Sequence, residues 1–126
     1  MFAIDGYQEL MVLHRALMEA KFSESLNDTA IGGSPILAEI SNRVVDALIQ
    51  ESSGTDSTAY SAESWRRWRT AASRVLELEV IRDRIQNTNK WPEWSQDEQR
   101  YYLSILLSPF EYDEDFLTSF MESLQC

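Results

Sequence analysis

A chain of 126 residues with 44% apolar and 25% charged side chains and fourteen aromatic residues can bury a real core without staples, and its composition excludes a disordered or fibrous polypeptide. Its net charge of −10 opposes nucleic acid in the far field and favours basic partners. Cys126 is the only cysteine, which excludes an intramolecular disulfide and a paired-thiolate metal site. No run approaches the ~18 apolar residues of a membrane span, and Met1 to Asp5 lacks a basic region leading into an apolar one. A soluble cytoplasmic protein is therefore expected, in which Asn27-Asp28-Thr29 is a chance glycosylation match.

The periodicity predicts an all-α chain, a single-domain bundle of about five helices spanning residues 1–126, with the third the longest. No stretch alternates with period two between turn residues, so no strand is expected. The first helix is expected from Asp5, capping with Gln8 three residues on, to about Phe22. Leu10, Leu13, His14, Leu17 and Lys21 share a face that Tyr7, Met11 and Met18 broaden. Asn27 to Gly33 reads as a polar loop. Ser34-Pro35 is a strong helix start, since serine caps and proline at the first position gives up an amide that had no partner. Leu37, Ile40, Val44, Ala47 and Leu48 continue that helix as its apolar stripe, and residues from about 50 to 60 read as a flexible connection.

Ser61 is expected to cap the third helix, with Tyr60 stapled onto Trp65. Trp65, Trp68, Ala72, Val75, Leu78, Ile81 and Ile85 then recur at helical spacing, predicting about seven turns to Asn87. Trp91-Pro92-Glu93-Trp94 breaks the chain. Ser95 and Glu98 form a capping box for a fourth helix carrying Tyr101, Tyr102, Leu103, Ile105, Leu106 and Leu107, which Pro109 ends. Asp113 opens the fifth, with Glu114 and Asp115 in the first turn, where the helix dipole favours negative charge. Phe116, Leu117, Phe120, Met121 and Leu124 make its apolar face.

Charge is uneven along the chain. Residues 1–60 hold nine acidic and three basic side chains, residues 61–90 four and seven, and residues 91–126 eight and one. Six of the eleven basic residues lie between Arg66 and Arg84. In Trp65-Arg66-Arg67-Trp68-Arg69 the tryptophans face the core and Arg66, Arg67, Arg69 and Arg74 project outwards as a basic ridge. Arginine interleaved with aromatics can bind nucleic acid by phosphate pairing and stacking. Pairing with carboxylates inside the fold or on a partner protein accounts for the same residues with less conflict with the overall charge.

Catalytic and cofactor chemistry find little support. His14 is the only histidine, and on an apolar helix face it reads as a hydrogen-bonded structural residue; no strained G-x-S-x-G turn accompanies it. Glu111, Asp113, Glu114 and Asp115 lack the spacing of an EF-hand loop. Gly32-Gly33-Ser34-Pro35 lacks the lysine of a P-loop and reads as a turn and cap. No metal, no cofactor and no enzymatic activity are expected. The expected function is that of a small acidic protein-binding protein, an inhibitor or neutraliser of the immunity or anti-defence type, that occludes a basic site on a partner. Carboxylates would speed encounter and aromatic anchors would slow release, with Trp91, Trp94, Glu111, Tyr112, Asp113, Glu114 and Asp115 as the contact candidates. A homo-oligomeric adaptor or structural subunit is the alternative, since the first helix is apolar on nearly every side. Nucleic-acid binding through the arginine-rich segment 65–84 is the weaker one.

Overall fold

The structure is a computed structural model that describes residues 3–4, 6–23, 33–52 and 62–124. Within these it is all-helical: α1 (Tyr7–Phe22), α2 (Pro35–Ser52), α3 (Ala62–Trp68), α4 (Val75–Gln86), α5 (Gln96–Leu107) and α6 (Glu114–Ser123). One-turn 3-10 helices at Ala71–Ser73 and Trp91–Glu93 join α3 to α4 and α4 to α5. The expectation of five helices with the third longest is thus corrected, to six α-helices among the described residues with the 18-residue α2 longest. Residues 50–52, expected to begin a flexible connection, complete α2. Residues 53–61 lie outside the described residues, as does the Tyr60–Ser61 start. Asp5 lies outside them too; α1 is preceded by Gly6 at φ 83°, left-handed backbone that suits glycine.

Three helix starts rest on side-chain chemistry. Ser34 Oγ accepts from the Leu37 amide at 3.1 Å. Ser95 and Glu98 form the reciprocal capping box, Ser95 Oγ accepting the Glu98 amide and Glu98 Oε1 the Ser95 amide. Asp113 accepts from the Phe116 amide at 2.8 Å. Each pairs a first-turn donor that the helix itself leaves without a partner.

The predicted third helix is divided. At Thr70 the backbone turns extended and forms a parallel bridge with Glu111: the Glu111 amide donates to Arg69 O at 2.8 Å, and the Ala71 amide donates to Glu111 O at 2.9 Å. These long-range bonds replace the helical bonds that uninterrupted periodicity implied, with no glycine or proline at the break. A consequence is that Val75, assigned to the buried stripe, is 64% exposed.

Two apolar clusters form the core. Ala71, Ile81, Ile85, Trp91, Leu103, Leu106, Leu107, Phe110, Leu117, Phe120 and Met121 make the larger, between α4, α5 and α6. Leu10, Val44, Leu48 and Trp65 make the smaller, between α1, α2 and α3. Trp68 touches both. No helix is long and apolar enough to cross a membrane among the described residues.

Candidate functional site

The four arginines of the predicted ridge part company. Arg66 is exposed, and so is Arg67, 3.4 Å from Glu63 one turn back. Arg69 is buried, its Nε donating to Pro109 O at 2.6 Å and its Nη1 to Asp46 at 2.6 Å, with Glu111 at 3.5 Å. Arg74 binds Glu77 at 2.9 Å and lies over the Trp68 ring at 5.1 Å. A continuous outward basic ridge is therefore absent, because the break at Thr70 turns Arg69 inward.

The inward turn extends to other cations. Lys21 is 1% exposed, its ammonium donating to Ile105 O at 2.9 Å, and burial beside Arg84 lowers its pKa to about 8. Arg84 donates to Lys21 O and to Ser23 O, closing the C-terminal end of α1. Arg82 lies over Phe120 at 4.8 Å and donates to Ser123 Oγ. Arg100 pairs with Glu114 at 2.8 Å. Six of the eleven basic side chains are thus buried or half-buried, and only Arg15, Arg43, Arg66, Arg67 and Lys90 are exposed. Of the seventeen described carboxylates, all but Glu77 are exposed. The surface is more one-sided in sign than the composition indicates.

The aromatic and acidic contact candidates are separated by their surroundings. Trp91 belongs to the core at 8% exposure. Trp94 is half-buried and meets Tyr102 edge-on at 5.1 Å. Tyr112 is half-buried beside Phe116, where burial raises the pKa of its phenol. Glu111 and Glu114 are exposed and lie against Arg69 and Arg100, Asp113 caps α6, and Asp115 is exposed in the first turn of α6. Trp91 offers no surface anchor, and capping and ion pairing occupy part of the acidic cluster.

Two grooves stand out that sequence reasoning missed. The first, of about 770 Å³, runs between α1 and α4 over His14, Met18, Phe22, Trp68, Leu76 and Val80, with Arg15, Glu19, Glu77, Glu79 and Asp83 along its rims. Leu76 is 79% exposed. His14 is held edge-on by Trp65 at 5.3 Å and Trp68 at 4.8 Å, and burial lowers its pKa to about 4, so it is neutral at pH 7. The second groove, of about 530 Å³, is lined by Gly33, Pro35, Trp94, Asp97, Glu98, Tyr101, Tyr102 and Ile105. It lies where the start of α2 meets α5, and its two carboxylates stand in the first turn of α5, where the helix dipole favours negative charge. The four rim carboxylates of the first groove come from helix flanks, and one cation, Arg15, stands among them.

Among the described residues no group of three His, Cys, Asp or Glu side chains converges as metal ligands would. Comparison with protein-family models, curated proteins and solved structures finds no match in any of the three.

Proposed function

We propose that the chain is an acidic protein-binding domain that neutralises a basic partner by covering its positively charged surface, in the manner of an inhibitor or immunity protein. The observation that supports this reading is the partition of charge: sixteen carboxylates face solvent while six of the eleven cations turn inward onto carbonyls, rings and acids. A surface of one sign accelerates encounter with its opposite and makes association sensitive to salt. The same sheltering leaves only Arg66 and Arg67 of the ridge exposed, which favours this reading over nucleic-acid binding.

The test is affinity capture of the tagged protein from its native lysate at low and high salt, with mass spectrometry of the eluate. A single stoichiometric basic protein released by salt is the expected result. Recovery of only the chain itself, or of nucleic acid, would reject the reading.

A further inference from the structure

A protein that binds basic partners needs a place where charge attraction becomes a shaped fit. The groove between α1 and α4 has such a shape. Its floor is apolar and adaptable, with Met18 and Phe22 from α1, Trp68 from the end of α3, and Leu76 and Val80 from α4. Methionine and aromatic side chains of this kind accommodate varied apolar anchors. Leu76, on its lip, is the most exposed large apolar side chain described.

The rims carry the complementary signal. Glu19 stands on α1, and Glu77, Glu79 and Asp83 stand on α4, with Arg15 the single lining cation. Arg74, half-buried over Trp68 and Phe110, pairs with Glu77 and offsets its charge, which leaves Glu19, Glu79 and Asp83 as the open acidic rim. His14, neutral at pH 7, adds no positive charge to the floor.

Among the described residues there is no strand whose edge could template an added one, the Thr70–Glu111 bridge being isolated. The walls are two helices, and the stretch of α4 that lines the groove, Leu76 to Asp83, gives a seat about 12 Å long, near two helical turns. An amphipathic helix of that length presents apolar anchors at i, i+3, i+4 and i+7 with charges on either side. Lysine and arginine in those flanking positions would meet Glu19 on one wall and Glu79 and Asp83 on the other.

We infer that the α1–α4 groove is the docking seat for a basic amphipathic helix of a partner protein, its apolar face over Trp68 and Leu76 and its cations between the acidic rims. This rests on the reading of the chain as a binder of basic partners, and names the seat and the form of ligand.

The test is calorimetric titration of the full chain with a synthetic peptide of about fourteen residues, leucine at the anchor positions and lysine or arginine at the others. A second peptide of the same composition carries a central proline that breaks the helix. Glu79→Lys with Asp83→Lys changes only exposed charge on α4, and Leu76→Ala trims an exposed side chain, so both variants are expected to keep the circular dichroism of the parent. The charge reversal should weaken the helical peptide at least about tenfold, Leu76→Ala a few-fold, and Tyr101→Ala in the other groove not at all. The proline peptide should bind far more weakly.

Helical-peptide binding that survives both α4 variants would overturn the seat while leaving the reading of basic-partner binding in place. Equal binding of the proline peptide would overturn the helical ligand. Failure of both basic peptides to bind at low salt would overturn the seat, and the broader reading then stands or falls on the affinity capture. A dimer in sedimentation that Leu76→Ala dissociates would assign the groove to a second copy and reject the inference.

Discussion

The two ends of the molecule are built on different terms. The α4–α6 end gathers eleven buried apolar residues into one cluster and starts α5 and α6 with side-chain caps. The α1–α3 end gathers four, and five of the six buried polar or charged side chains, His14, Lys21, Ser41, Ser52 and Arg69, belong to α1, α2 or the turn just after α3. Three polar ties cross the seam between the ends: Lys21 reaches Ile105 O, Ser108 Oγ reaches Ala38 O at 2.7 Å, and Arg69 reaches Pro109 O. Trp68 and Phe22 against Phe110 supply its apolar share. Apolar burial is non-directional, whereas a buried cation aimed at one carbonyl fixes position and orientation. Removing the cation leaves its acceptors unpaired. The α1–α3 end should therefore be the more sensitive to single polar substitutions and to acid.

Arg69→Ala should show this most strongly. It leaves the buried Pro109 O unpaired, while Asp46 stays 65% exposed to water, with an expected loss of about 3 kcal/mol. Denaturant unfolding measures the loss, and hydrogen exchange locates it. Protection should fall first in α1 and α2 and persist in α5 and α6; uniform loss would erase the distinction between the ends. Lysine should not rescue the site, since it lacks the fork that serves a carbonyl and a carboxylate together.

Acid should produce the next largest effect. His14 has a folded pKa of about 4 against an ordinary value of 6.5, so the unfolded chain binds the proton first as pH falls. Its contribution is complete above pH 6.5 and is lost progressively towards pH 4, amounting to roughly 3 kcal/mol. Stability against pH should be flatter in His14→Gln than in the parent across that window, and parallel curves would remove His14 as the cause. Ser95→Ala should cost only about 1 kcal/mol, seen as a small shift in denaturation midpoint without altered protection in α1.

What the sequence made legible follows the range of the forces involved. Ser34-Pro35, Ser95 with Glu98, and Asp113 act within one turn, and the structure places a helix start at each. The break after Trp68 was hidden because its main cause lies forty residues away: Thr70 and Ser73 disfavour helix only weakly, though both bond backbone carbonyls at the break, and the long-range bonds that stop it come from Glu111. The stripe of α2 was shifted in the same way. Ile40 faces out at 36% exposure while Ala38 and Ser41 are buried, because small residues admit the close approach of α5 and Ser108 hydrogen-bonds Ala38 O. The acidic cluster after Phe110 was visible as composition, but the ion pairs and the cap that occupy part of it were not. The α1–α4 groove had no sequence signal, since its walls are some sixty residues apart and meet only in the fold.

The inward placement of the cations bears on self-association. Two copies approaching through surfaces on which exposed carboxylates outnumber exposed cations sixteen to five repel at low ionic strength, and added salt shortens the reach of that repulsion to about 8 Å at physiological strength. A basic partner experiences the opposite trend, its attraction weakening as salt rises. Ionic strength thus sorts the two kinds of encounter, favouring unlike pairs in dilute salt and like pairs in concentrated salt.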